Sequence, residues 1–453
     1  MKTTAIYKDW VLAALLTVSA CGGASQTSKG QLGAIAQNAA PPPVGAEAFA
    51  AAAPQAAVER SVTREAKKDF ASAVVFFQEQ QKKGWTSATC SNAADKFLEV
   101  ASAHDKMVEA YFNAGVSYQK CGDRAQAEKQ YKRALDVAPN HASSLANLGE
   151  IYYRGGNKSV GEQYFARAYN ADKANVAANN NMAWVTYQKM VTLDTGSKEW
   201  KVLEGTAKGH LSRALAGDND NIVAYTTFAL VYMNGSERNR SRLAIAELLL
   251  REGDKRSQGF APLYNAWGLL ELRRRNVGTA LAKFRDAVKL DPNFVEARMN
   301  VGQIVLNFRR YDEAKEHFEF VTGRGEVDKI VMYDATVALG VALRGGKKID
   351  EAEAMYKRAR DLDPGRGEAY FNLGILWKEF RPGANLQDNV TAFGEAKKYF
   401  EQSLSKSNVS AALRKEAQDN IGDCEKTIKI LNDNIKAIKE AEAQASAANP
   451  GAK

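Results

Sequence analysis

The side chains best suited to chemistry are few and scattered. The four histidines, His104, His141, His210 and His317, show neither HxxxH nor HExxH spacing, so no helical turn presents two imidazoles to one metal. No GxSxG, GxxxxGK(S/T) or GxGxxG stretch occurs, and the SxxK match at Ser403 and Lys406 falls in the end of a predicted helix. No catalytic residue, metal, cofactor or small-molecule substrate is therefore expected. What does recur is an amide. Asn113, Asn147 and Asn181 are separated by 34 and again 34 residues. An asparagine side chain donates and accepts at once, which is what the backbone of an extended peptide asks of a partner.

An amide that recurs at a fixed interval needs an element that recurs with it. Gly115 is followed by Ala127, Tyr131, Ala134 and Pro139, at offsets of 12, 16, 19 and 24. The same offsets separate Gly268, Ala280, Phe284, Ala287 and Pro292, and again Gly340, Ala352, Tyr356, Ala359 and Pro364. Small residues at three of the places let two antiparallel helices approach, the aromatic fills the gap between them, and proline stops the second helix. This spacing resembles the tetratricopeptide repeat (TPR), a helix–turn–helix unit of about 34 residues. The resemblance implies an all-α TPR solenoid, a right-handed superhelix of about nine repeats with a C-terminal capping helix.

With the Gly or Ala counted as the eighth place, Asn113, Asn147, Asn181, Asn300 and Asn372 all stand at the sixth. In the resembled family that place faces the concave groove, so these five are the candidate partner-binding residues. Phe112, Val116, Gln119, Glu150, Tyr153, Gln303, Arg344, Phe371 and Lys378 share the lining. The same asparagines could instead satisfy contacts between helices. The family's chaperone-tail pocket has lysines where Phe112, Ala146 and Val185 stand here, so that activity is not implied.

The N-terminus reads differently. Lys2 and Lys8 precede a short apolar run from Trp10 to Val18, too short to span a bilayer, and residues 1–20 read as an export signal. The ending Val18-Ser19-Ala20-Cys21 resembles a bacterial lipobox, which implies cleavage before Cys21 and lipidation there; Gly22 favours the outer membrane. Residues 21–60, with Pro41-Pro42-Pro43, read as a flexible Ala/Pro/Gly-rich tether. Cys121 lies in a repeat turn and Cys90 just before the preceding second helix, places that adjacent repeats bring near one another. In an oxidising periplasm they are expected as a disulfide, leaving Cys424 unpaired.

Along the 453 residues the plan is a degenerate helical repeat at 61–107 and repeats at 108–260 with an insertion near 192–204. Repeats follow at 261–410 with an insertion near 380–389, then a capping helix at 411–440 and a disordered tail at 441–453. Trp200 makes the first insertion either a partner contact or a fold-back cover. Apolar content of 45% and charged content of 25% are ordinary globular values, and the net charge of +9 is a mild surplus.

The expected partners are other envelope proteins through the concave groove and the membrane through the lipid, with no nucleic acid. The plan resembles the TPR lipoprotein of the myxobacterial adventurous gliding machinery, which implies a non-catalytic periplasmic scaffold or assembly factor. The rivals are a pilus or secretin assembly lipoprotein, and a cell-wall or polysaccharide-export factor whose basic surplus binds a polyanion.

Overall fold

The computed structural model describes residues 63–448, apart from 105, 106, 257, 258, 326, 382 and 408. The expected signal peptide (1–20), lipidation site Cys21 and tether (21–60) lie outside the described residues.

Every described element is a helix. In chain order they are α1 (Arg64–Lys83), α2 (Ser87–Ala103), α3 (Val108–Lys120), α4 (Arg124–Val137), α5 (Ala142–Arg154), α6 (Lys158–Ala171), α7 (Val176–Met190), α8 (Lys198–Gly217), α9 (Ile222–Met233) and α10 (Arg242–Arg256). They continue with α11 (Ala261–Arg273), α12 (Val277–Leu290), α13 (Val295–Asn307), α14 (Tyr311–Thr322), α15 (Lys329–Gly345), α16 (Ile349–Leu362), α17 (Glu368–Phe380), α18 (Leu386–Leu404) and α19 (Ala411–Ala448). The described residues divide into two compact units, one ending at Arg273 and the other beginning at Arg274.

Within each unit the helices pack as hairpins, and successive first helices also touch. The first unit layers α5 on α7, α7 on α9 and α9 on α11; the second layers α13 on α15, α15 on α17 and α17 on α19. This is TPR-like solenoid packing, and small-against-large contacts set its spacing. A Cβ built on Gly115 would stand 2.6 Å from the Tyr131 ring, and one on Gly340 would stand 2.5 Å from the Tyr356 ring. Gly149 meets Phe165, Gly302 meets Phe318 and Gly374 meets Phe400 in the same way. Each aromatic is fully covered, so the hairpin closes only because the facing residue has no side chain.

Second helices start on side-chain caps where the sequence allows. Asp123, Asn157, Ser197 and Asn385 each accept a backbone N–H from the first turn of α4, α6, α8 and α18. The tight turn before α4 and α6 passes through left-handed backbone at Gly122 (φ 76°) and Gly156 (φ 90°). In the second unit Arg309 (φ 59°) and Lys347 (φ 63°) take that place, seven residues after Gly302 and Gly340. A side chain there strains the turn.

Cys90 on α2 and Cys121 at the end of α3 are joined in a disulfide, with Cα atoms 6.2 Å apart. Closing a loop of 31 residues stabilises by about 3–4 kcal/mol through the unfolded chain. Cys424 is free and buried on α19, beside Phe400, Leu413 and Ala417.

Two segments behave otherwise than their composition suggests. Trp200 is buried, and the region near 192–204 is a short loop leading into the 20-residue α8. Its Nε1 donates to Asn234 Oδ1 at 2.7 Å, and Arg238 reaches back to Asp194 at 2.7 Å. Arg242 pairs with Glu204 at 2.6 Å and donates to the carbonyls of Val231, Tyr232 and Asn234. The segment is thus a cover for the turn between α9 and α10, because the indole and both charge pairs are satisfied there. The segment at 380–389 is held similarly. Arg381 pairs with Asp350 and with Glu353 on α16, and Asn389 exchanges hydrogen bonds with Gly383. Helix α19 also runs through Ala448, past residue 440, since its last turns are built from Ala, Glu and Gln, all good helix formers.

Candidate functional site

The candidate site is the face of the first helices where the recurring asparagines stand. In the first unit that row is knitted into the protein. Asn147 Nδ2 donates to the Tyr131 hydroxyl at 2.9 Å, which donates to Gln119 Oε1 at 2.6 Å. Gln119 Nε2 reaches Glu150 Oε2 at 3.5 Å, and Arg154 donates to the other Glu150 oxygen at 2.9 Å. Burial holds the Tyr131 hydroxyl far above the usual phenol range, so it stays a neutral donor. Asn113 is half-buried and donates to the Glu109 carbonyl at 2.7 Å; Asn181 donates to the Ala146 carbonyl at 3.4 Å.

The structure therefore brings Asn147 and Asn181 onto adjoining helices but turns both inward, each only 2% exposed. Asn300 (0%) and Asn372 (1%) are equally covered in the second unit. Asn372 Nδ2 donates to the Glu368 carbonyl one turn back. Of the five, Asn113 alone is open enough to meet a partner without a rearrangement. At this place Asn147 and Asn181 bridge to a neighbouring helix while Asn113 and Asn372 bond a carbonyl of their own helix, roles the 34-residue spacing does not distinguish from partner contact.

Sequence reasoning also passed over two polar clusters. In the first unit Asn175, Asn179, Asn180, Asn221 and His210 are all buried. Asn180 donates to Asn221 at 3.2 Å, and Asn175 donates to Ser143 at 3.1 Å. His210 Nδ1 lies 3.0 Å from Asn179 Oδ1. Burial, with Arg213 and Lys173 close by, holds the imidazole down at about 4, so it is neutral at physiological pH. The signal was the run Asn179-Asn180-Asn181, three consecutive amides that cannot all face solvent on one helix.

In the second unit Arg366 pairs with Asp334 at 2.8 Å and Glu368 at 3.0 Å, and lies over the Tyr333 ring at 3.9 Å. Burial pushes Asp334 up to about 6 against the pull of Arg366, because Glu368 shares the same guanidinium. Asp334 is distant in sequence from Arg366 and Glu368, and the three carry no motif.

Further along the second unit the polar groups are less well served. Arg344 is 2% exposed, and neither its Nε nor its Nη1 has a hydrogen-bond partner among the described residues. The buried Tyr356 hydroxyl and Asn372 Oδ1 also lack one. No group of described residues is arranged to hold a metal ion, and no described helix is long and apolar enough to cross a membrane.

Comparison with known proteins fits this architecture. Tetratricopeptide-repeat family models match residues 106–174, 265–320 and 337–377. The chain carries tetratricopeptide repeats. Among curated proteins, human protein O-mannosyl-transferase TMTC1 is 25% identical over 211 residues, covering 46% of this chain and 22% of that protein. Human protein O-mannosyl-transferase TMTC3 is 27% identical over 127 residues, or 26% of this chain and 14% of that protein. This TPR chain thus spans well under a third of the length of either relative.

Among solved structures, the human IFIT1 dimer with m7Gppp-AAAA superposes with a TM-score of 0.51 at 15% identity, covering 81% of this chain and 82% of that one. A monomeric mutant of IFIT1 with Gppp-AAAA gives a TM-score of 0.51 at 16% identity, over 76% and 82% of the two chains. At such identities the likeness is one of fold. TPR arrays in general present surfaces to other proteins and do not catalyse, and this chain has the interaction-scaffold architecture.

Proposed function

We propose that this TPR chain is a non-catalytic outer-membrane lipoprotein whose repeats stand in the periplasm. There it scaffolds or helps assemble an envelope-spanning machine, as the resembled gliding-motility lipoprotein implies. The observation that carries the reading is the Cys90–Cys121 disulfide within the repeat array, a crosslink that belongs to an oxidising compartment. It agrees with the export signal and with the lipobox-like run ending at Cys21. Asn113, with Gln119 on the same helix, marks where the first unit would meet a partner, and the membrane would be met through lipid on Cys21.

The test is labelling with radioactive palmitate and fractionation of wild type and Cys21→Ser, followed by crosslinked recovery from intact envelopes. Label and outer-membrane retention that vanish in the variant, with a small set of envelope proteins crosslinked to wild type, are expected. An unlabelled wild-type chain in the cytosol would overturn the proposal. The polyanion alternative draws on the net charge of +9 and separates by salt: recovery that collapses between 0.05 and 0.5 M would favour it, by ordinary screening.

A further inference from the structure

The place seven residues after the packing glycine separates the two units. In the first it is Gly122 and Gly156, and the residue after each, Asp123 or Asn157, caps the helix that follows. In the second it is Arg275, Arg309 and Lys347, which among the described residues are the only ones besides glycine with left-handed backbone. The residues after them, Asn276, Arg310 and Lys348, make no side-chain cap on α12, α14 or α16. These turns therefore carry three handicaps. A side chain occupies backbone that favours glycine, the helix start lacks its capping acceptor, and in α14 and α16 a cation stands at the positive end of the helix dipole. No ion pair among the described residues offsets them: Arg275, Arg309 and Lys347 are all exposed, and the structure gives none of these side chains a carboxylate partner there. Three nearby acids are held by other cations. Arg310 holds Glu313 at 2.6 Å, Lys348 holds Glu351 at 3.4 Å, and Arg381 holds Asp350.

We infer that these turns form a docking edge for an anionic phospholipid surface. Helix α12 packs on α13 and α13 layers on α15, so the turns at Arg275, Arg309 and Lys347 lie along one edge of the second unit. Strained backbone kept at successive turns, each time with a cation, points to a use for the charge. A row of turns is convex, and it suits a flat layer of phosphates better than it suits an extended chain, which asks for a groove. Phe308, 57% exposed, adjoins Arg309 on that edge. Its ring can enter the boundary between headgroups and acyl chains while the guanidinium beside it stays with the phosphates. A single-stranded nucleic acid would ask for a series of stacking rings, where this edge offers Phe308. The inference goes beyond the scaffold reading: it adds a membrane contact made by folded residues, and it does not depend on lipid at Cys21.

The test uses the chain from Gly22 onward, which keeps every described residue and lacks Cys21. It is sedimented at about 0.1 M salt with vesicles of phosphatidylcholine alone, or with about 30% phosphatidylglycerol. Partition onto the anionic vesicles should exceed that onto the neutral ones at least about tenfold. The combined variant Arg275→Gly, Arg309→Gly, Lys347→Gly should abolish that preference while raising the melting temperature, because glycine relaxes the turns. A merely structural role predicts the gain in stability with binding unchanged. If the glycine variant fails to fold, Asn at the same three places, which also tolerates this backbone, decides. Lys67→Gln, Lys68→Gln and Lys83→Gln together remove equal charge from exposed places on α1 and should leave the preference within about twofold. Phe308→Ser should weaken binding to anionic vesicles about threefold or more. Equal partition onto the two vesicles, a preference that survives the turn variants, or one lost equally in the lysine control overturns the inference. Binding of an oligonucleotide that the turn variants lose, with anionic vesicles left unbound, also overturns it and assigns the edge to a soluble polyanion. If the vesicle preference holds while cells yield an unlabelled cytosolic chain, the edge stands and the lipoprotein reading falls. The reverse result removes the edge and leaves the lipoprotein.

Discussion

Gln119, Tyr131 and Asn147 close a chain of hydrogen bonds, whereas at the same positions Arg344 Nε and Nη1, the Tyr356 hydroxyl and Asn372 Oδ1 are buried without a partner among the described residues. The glycine that admits the aromatic ring is identical in both units, and so is the overlap a Cβ would create there. The turns differ in the opposite sense: Gly122 and Gly156 relax the first unit, while Arg309 and Lys347 strain the second. The repeat thus dictates how helices pack and leaves open what faces the partner.

The comparison breaks most decisively at the glycines. Gly115→Ala and Gly340→Ala should each cost about 3 kcal/mol in chemical denaturation, because a rigid ring fully enclosed on all sides cannot retreat. A tolerated alanine in either unit would show that its hairpin is looser than the other's.

Acid should move the units in opposite directions. The unfolded chain protonates His210 between pH 6.5 and about 4 while the folded chain does not, so the first unit weakens as pH falls, by on the order of 3 kcal/mol at the lower end. Asp334 is raised from 3.8 to about 6 in the folded chain. Its contribution is therefore full below 3.8 and lost as pH rises through 6. Hydrogen exchange of amides in α8 and α15 at pH 7 and 4.5, corrected for intrinsic rates, should show α8 losing protection relative to α15. Parallel changes would refute the assignment.

Tyrosine-to-phenylalanine changes sharpen the contrast further. Tyr131→Phe strands Asn147 and Gln119 and should cost about 2 kcal/mol. Tyr356→Phe removes a hydroxyl with no hydrogen-bond partner among the described residues and should leave stability unchanged or slightly higher. Equal costs would mean that the second hydroxyl has a partner after all. The smallest effect is at the turns, where Lys347→Gly and Arg309→Gly should each gain about 0.5–1 kcal/mol and Gly122→Ala should lose about 1 kcal/mol. Melting temperatures suffice to check these signs.

Much of the fold was legible because packing repeats. Gly115, Tyr131 and Pro139 announce a hairpin whose parts are all local, and their recurrence at 268–292 and 340–364 announces the array. The site was less legible. Asn147 and Asn372 look alike at the sixth place, but their bonds depend on whether Gln119 or Arg344 stands opposite on another helix. For Trp200 the sequence left partner contact and fold-back cover both open; Asn234, 34 residues on, takes its N–H. The knot of Asp334, Arg366 and Glu368 has no spacing to find, since one guanidinium can be shared by carboxylates on separate helices.

By itself, then, the order of small, aromatic and proline residues determined a TPR solenoid, because close approach between consecutive helices is a short-range steric requirement. Only the tertiary structure decided which polar side chains are consumed inside the protein and which are left open. Hydrogen-bond satisfaction is settled between helices 12 to 45 residues apart, by distances and directions that a linear pattern does not contain.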